Sequence, residues 1–356
     1  MTPGVARLAV FDAWFERAEM LVRRCTTARD LDTLVRLAPE MHAAVGAMVE
    51  ADAGGGLIAR TLAALNDALT VRVIELTLPR HRLPSAAWCW LAFGSEGRCE
   101  QTLVTDQDNG IVFSAADGGE ARALRPLLMA GAREINAALA ACGFPLCSGG
   151  VMAQNPDCCL SVAEWCERFS GWVRTPEPQA LLNATIYFDL RALHGDATLA
   201  DALRARIRHS VVRADAFLHL MSANALSVSP PLGKLREFAA VDGVVDLKKS
   251  GTRIFVDAAR ILGIDAPQGG TVARLRHAVG AGRLAAADGA AAIGAFRHLL
   301  RLRLESQCRT LAVAGTPTNL VTPVALDDFD RRVLVEALKQ ARMLQQRLKI
   351  EYCPEG

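Results

Sequence analysis

The strongest constraint on the fold of this chain is a change of hydrophobic period. Within residues 5–80, apolar side chains recur three and four apart. They are Leu21, Val22, Leu31, Leu34, Val35 and Leu37, then a single stripe of Ile58, Leu62, Leu65, Leu69, Val73 and Ile74. That spacing follows the turn of an α-helix and predicts two helical blocks, separated at Gly54–Gly56 and stopped by Pro79 and Pro84. At Ala87 the pattern breaks. Ala87–Phe93 (AWCWLAF) is a continuous apolar run ended by Gly94-Ser95, which predicts a buried strand. Val104–Phe113 predicts a second strand, Glu120–Ala141 an amphipathic helix, and Phe144–Cys147 a further short strand.

Helical spacing returns at Val162. Helices are expected over Val162–Trp172, Pro178–Leu193, Leu199–Leu226, Lys234–Ala240, Gly251–Leu262, Val272–Val279, Ala287–Leu311 and Leu326–Ile350. Ser227–Gly233 (SVSPPLG) reads as a linker. The expected class is α+β: a small mixed sheet with helices, flanked by an N-terminal helical segment and a C-terminal helical bundle. The expected divisions are 1–84, 85–226 and 234–352, with an active cleft between sheet and bundle, because ligand sites favour domain interfaces.

Charge and cysteine content exclude several functions. Lys+Arg 40 against Asp+Glu 38 leaves a net charge of +2, which argues against a nucleic-acid-coating protein. The ten cysteines include no CxxC pair and no zinc-finger grouping with histidine. They read as reduced thiols of a cytoplasmic protein, mostly small core residues. No leader-like segment opens the chain, and the uncharged runs Ile135–Pro156 and Ala216–Gly233 are broken by Gly, Pro, Asn or Ser, so no membrane span is expected. No histidine has an i,i+4 histidine partner, which argues against a histidine metal site.

Chemistry concentrates in Leu91–Phe113 (LAFGSEGRCEQTLVTDQDNGIVF). Side chains two apart on a strand share a face, so Asp106 and Asp108 project together. Two adjacent carboxylates repel unless a divalent cation lies between them. Mg²⁺ suits one or two carboxylates plus water and phosphate oxygens. The composition around the pair also suits a solvated turn, but the preceding Gly94-Ser95 favours a metal site: a Gly-Ser turn lets backbone approach a phosphate. Arg98 is a candidate phosphate contact, or a partner of Glu100. Lys248 and Lys249 are two of only five lysines; beside Ser250-Gly251 at the start of a helix they are further phosphate candidates, though most lysines are merely solvated. Asp189 and Arg191 read as packing residues on a helix, Trp165 and Trp172 as core, and Arg301 and Arg303 as a solvated helix face.

The run Gly94 to Asn109 (GSEGRCEQTLVTDQDN) resembles the DUF294 nucleotidyltransferase family, related to the N-terminal region of the PII-protein uridylyltransferases and to the superfamily typified by DNA polymerase beta. Phe144–Pro156, Tyr187–Asp196, Leu247–Arg260, Leu300–Gln307 and Thr318–Pro323 extend the resemblance over most of the chain. It implies a minimal nucleotidyltransferase fold within 85–226 and a nucleotide- or substrate-binding bundle over 234–352. It implies that Asp106 and Asp108 hold Mg²⁺ on a nucleoside triphosphate and that Gly94, Ser95 and Arg98 position its phosphates. The nucleoside monophosphate would pass to a hydroxyl of a protein or small molecule, as in PII-type signalling. The alternative is a non-catalytic nucleotide-sensing module with a sensory partner; an antitoxin-like nucleotidyltransferase is a third. Many superfamily members carry a third carboxylate on a following strand, and Phe144–Met152 has none; Asp157 and Asp189 are the nearest. The general base is open between Asp108, Glu100 and a group on the acceptor.

Overall fold

The computed structural model describes residues 3–83, 85–233, 243–267, 269–315 and 317–353. Pro84 and the helix expected over Lys234–Ala240 lie outside the described residues. The chain forms two compact units. One holds Met1–Ala53, Leu57–Trp165 and Leu190–Ala202; the other holds Gly54–Gly56, Cys166–Asp189 and Leu203–Gly356.

The first unit begins with α1 (Pro3–Thr27), α2 (Leu31–Glu50) and most of α3 (Gly55–Thr77). Asp30 starts α2 by accepting the Thr33 N–H at 2.7 Å, satisfying one of the orphan donors of a helix N-terminus. Leu34, Leu37, Met41, Val45 and Met48 then bury one face. The α/β part follows: β1 (Trp88–Ala92), α4 (Gly94–Gly97), β2 (Asn109–Phe113), α5 (Gly118–Ala141), β3 (Cys159–Ser161) and, after the chain has passed through α6 (Val162–Arg174) and α7 (Pro178–Tyr187), β4 (Arg191–Gly195). The sheet order is β3-β2-β1-β4. β1 runs antiparallel to β2 and β4, and β2 runs parallel to β3, so the sheet is mixed as expected.

The two central strands are covered on both faces, which is why they read as continuous apolar runs. Trp90, Phe93, Phe113 and Trp165 are fully buried, each worth on the order of 2–3 kcal/mol of burial. Trp165 also donates its indole N–H to the Ile111 carbonyl at 3.0 Å. α6 starts on a capping box: the Ser161 N–H bonds the Glu164 carboxylate at 2.8 Å and the Glu164 N–H bonds Ser161 Oγ at 3.3 Å.

Three local expectations are corrected here. Phe144–Cys147 is a loop; the third strand is the three-residue β3 instead. The pair Asp106 and Asp108 precedes β2 rather than lying within it, in extended chain whose side chains still alternate: Asp106 exposed, Gln107 buried, Asp108 half-buried, Asn109 buried. The helix expected over Pro178–Leu193 ends at Tyr187, and Arg191 opens β4.

The second unit holds α7, most of α8 (Ala197–Val211), α9 (Asp215–Leu226), α10 (Arg253–Leu262), α11 (Thr271–Gly280), α12 (Ala286–Ala314) and α13 (Asp328–Tyr352), with a two-stranded ladder of β5 (Val245–Asp246) and β6 (Leu320–Val321). The long helix expected over Leu199–Leu226 is two helices, broken where Arg213 takes a left-handed φ of 69°. α13 buries Leu334, Ala337, Leu338, Ala341, Leu344 and Leu348 in the spacing of a core-facing helix. Arg303 is not solvated: it is buried and donates to Asn319 at 3.0 Å and to Thr252 at 3.1 Å. Arg301 is mostly buried and pairs with Glu305 and Asp330. No helix among the described residues is long and apolar enough to cross a membrane.

Candidate functional site

β1 delivers the chain into a tight turn. Phe93 is extended and its N–H donates to the Asp108 carbonyl at 2.8 Å, the last rung between the two segments. Gly94 then takes φ +53°, a left-handed conformation in which a side chain is strained. A Cβ there would stand 3.0 Å from Asp108 Oδ2, so the absence of a side chain lets the carboxylate lie against the turn. α4 follows as one turn, with Gly97 N–H bonded to Phe93 and Arg98 N–H to Gly94. The first N–H groups of such a turn lie outside its own ladder and suit an anion.

Asp106, Asp108 and Cys147 form a donor cluster: one ligand atom from each lies within 4.8 Å of the others. Mg²⁺ takes one or two carboxylates and completes its shell with water and phosphate oxygens, so Asp106 and Asp108 fit the metal that the sequence reading implies; the thiol is a softer donor that it does not need. Asp106 is exposed and free to adjust; Asp108 and Cys147 are half-buried. The Cys147 thiol is pushed up by burial, while backbone N–H groups of Val151 and Gly149 favour its thiolate and Asp108 opposes it.

A buried amide network fixes the two segments that carry these donors. Gln107 donates to the carbonyls of Asn136 and Phe144, both at 2.9 Å. Asn136 donates to Gln107 Oε1 at 2.7 Å and to Asn109 Oδ1 at 3.0 Å. Asn109 Oδ1 also accepts the Ala153 N–H at 2.8 Å. Backbone bonds from Gln107 N–H to Pro145 and from Asn109 N–H to Val151 complete the lacing. The loop bearing Cys147 is thereby tied to the aspartate segment on both sides of the cysteine.

The Gly94 turn is held from behind. Arg191 on β4 makes a bidentate pair with Asp67 on α3, both bonds 2.8 Å, and donates to the Glu96 carbonyl at 3.0 Å. A pocket of about 430 Å³ borders this pair, lined in part by Asp67, Arg72, Glu75 and Arg191. The Glu96 carboxyl is buried, and desolvation, with Asp67 and Asp108 adding to it against Arg191, pushes its pKa up to about 8. The folded protein therefore holds a proton on Glu96 that the unfolded chain, near 4.3, releases. That contribution to stability is complete below the unfolded value and is lost as pH rises through about 8. Glu96→Gln removes the titration, so the gain in melting temperature of the variant over the native chain should be larger at pH 8 than at pH 5. An equal difference at both pH values would show that Glu96 does not titrate in this way.

The other candidates divide. Arg98 is bonded through Nε to Glu100 at 2.8 Å, with both side chains largely buried. Lys248 and Lys249 belong to the second unit, exposed on a π-helical turn that runs into α10. Their N–H groups are capped by Asp246 at 2.9 and 3.0 Å, which places a carboxylate where an anion would bind. Asp157 is exposed in the first unit. Asp189 is fully buried in the second unit, bonded to Arg260 at 2.7 Å and to Arg274. None of the ten cysteines is in a disulfide, and five of them are buried. Sequence reasoning passed over Cys147 with the rest, and passed over Gln107, Asn109 and Asn136. The signal for the amides was present: Asn136 interrupts the apolar stripe of α5, and Gln107 and Asn109 alternate with the aspartates.

The family model described as Putative nucleotidyltransferase DUF294 matches residues 39–179, and that described as Putative nucleotidyltransferase substrate binding domain matches residues 215–352. No protein of curated function matches the chain.

Proposed function

The chain belongs to the DUF294 nucleotidyltransferase family, and from that membership we propose that it is a Mg²⁺-dependent enzyme moving a nucleoside monophosphate from a triphosphate to an acceptor hydroxyl. The observation that carries the reading is the contact of Asp108 with the Gly94 turn, beside Asp106, inside the matched region. Asp106 and Asp108 would hold the cation. Bound there, a divalent ion offsets the negative charge of the triphosphate oxygens. The Gly94–Gly97 turn presents backbone N–H groups to the phosphates, and the Arg191–Asp67 pair keeps that turn in place. In the reaction the acceptor oxygen bonds the α-phosphorus, the bond to the β-phosphate breaks, and pyrophosphate leaves. Glu100 is engaged by Arg98, so the acceptor proton passes to Asp108 or to a group on the acceptor itself. A protein acceptor, as in the PII uridylyltransferases that the sequence resembles, is the favoured version.

A second reading, a module that binds nucleotide without transferring it, draws on the donor set. Among the described residues the third member of the cluster is a thiol rather than a carboxylate, and Asp189 is held by two arginines. The test is incubation with Mg²⁺ and each labelled triphosphate, alone and in lysate, reading pyrophosphate and labelled acceptor. Transfer that vanishes in Asp106→Ala with Asp108→Ala supports the enzyme. Tight binding without transfer to any acceptor favours the module. No binding at millimolar Mg²⁺ removes both.

A further inference from the structure

The third donor of the cluster changes which metals the site can hold. Mg²⁺ demands oxygen ligands in near-octahedral geometry and keeps several waters, so a sulfur beside the aspartates adds nothing to its binding. Zn²⁺ takes carboxylate oxygen and thiolate sulfur together in a tetrahedral shell. We propose that Asp106, Asp108 and Cys147 form a zinc-capturing donor set at the nucleotide site, and that zinc held there excludes the Mg²⁺–nucleotide complex. The exclusion rests on the nucleotide reading above; the donor set does not.

Geometry supports it. In a tetrahedral zinc shell, sulfur and oxygen ligands stand about 3.6 Å apart. The donor atoms lie within 4.8 Å of one another, so closure needs only a small movement, and exposed Asp106 is free to supply it. The two donor segments are preorganised. Gln107 ties the aspartate segment to Phe144 and Pro145 on one side of Cys147, and Asn109 ties it to Val151 and Ala153 on the other. A cysteine so fixed does not need to be recruited from a mobile loop. Water completes the fourth position. On capture the thiol proton goes to solvent and the sulfur lone pair bonds the metal, one proton released for each zinc bound.

The test uses the full chain without nucleotide. Zinc affinity is measured by competition with a chromogenic chelator, and cadmium serves as a second probe through its sulfur-to-metal charge-transfer absorption. Native protein, Cys147→Ser, Cys147→Ala and Asp106→Asn are compared, with Cys99→Ser as the control for other half-buried thiols. Zinc affinity should fall at least tenfold in each of the first three variants and hold in the control, and the cadmium absorption should vanish with Cys147. Mg²⁺ affinity should be unchanged by Cys147→Ser. Asp106 is exposed, so its variant remains informative if a Cys147 variant fails to fold. Zinc affinity indifferent to both Cys147 and Asp106 would overturn the proposal. Zinc capture by these residues without any nucleotide binding would uphold the donor set and defeat the nucleotide reading. Mg²⁺-dependent transfer that zinc leaves untouched would overturn the exclusion alone.

Discussion

Asp189→Ala is expected to lower the unfolding free energy by about 3–5 kcal/mol, the cost of breaking a buried ion pair from one side. Asp189 is completely buried and is bonded to Arg260, itself 2 % exposed, and to Arg274. Arg260 also bonds Asp257 at 2.7 Å, and Arg253 reaches Asp257 at 3.2 Å. Burial alone would lower the Arg260 pKa; Asp189 and Asp257 together hold it above its ordinary value. Without Asp189, Arg274 loses its carboxylate and Arg260 keeps only one. Asp189→Asn keeps the shape and one acceptor oxygen, so it should cost less. Denaturant unfolding reads the effect as a lower midpoint with an unchanged slope. The double change Asp189→Leu with Arg260→Met should recover only the part of the loss owed to stranding Arg260, because Arg274 still lacks its carboxylate and Asp257 loses Arg260. A cost below about 1 kcal/mol for Asp189→Ala would mean that the cluster is hydrated in solution rather than dry.

What the sequence disclosed follows from how local each signal is. The helices of both units were legible because their buried faces are written as stripes, and β1 and β2 because strands covered on both faces become apolar runs. β4 was hidden: Arg191–Gly195 is half-exposed and carries Arg and His, and it follows α7 without a breaker. Phe144–Cys147 looks like a strand, but Pro145 has no N–H to give a ladder and its carbonyl serves Gln107 instead. The Gly94 turn and the aspartates were legible because they lie within fifteen residues of each other. The contact of Cys147 with that pair depends on a loop that returns after α5, and no spacing rule reports it. Asp189 and Arg260 were obscure for the same reason, since their partnership spans 71 positions.

Asn136→Ala is expected to damage stability and the site together. Asn136 is completely buried on the apolar stripe of α5, between Ile135 and Leu139, and its amide joins Gln107 and Asn109 while its oxygen accepts the Gln154 N–H at 3.3 Å. Truncation leaves the buried Gln107 Oε1 and the part-buried Gln154 N–H without these partners. At about 1–3 kcal/mol for the buried group and about 1 kcal/mol for the part-buried one, a loss of about 2–4 kcal/mol follows. The same bonds set the distance between the aspartate segment and the Cys147 loop. A misplacement of about 1 Å at a reacting centre costs on the order of a hundredfold, so metal-dependent nucleotide binding or transfer should fall by more than the stability loss explains. Asn136→Leu separates the two effects. Leucine continues the stripe and restores apolar packing, so it should recover part of the melting temperature, yet it supplies no hydrogen bond and should leave nucleotide and metal affinity low. If leucine restores both, Asn136 acts through packing alone and the amide network does not position the site.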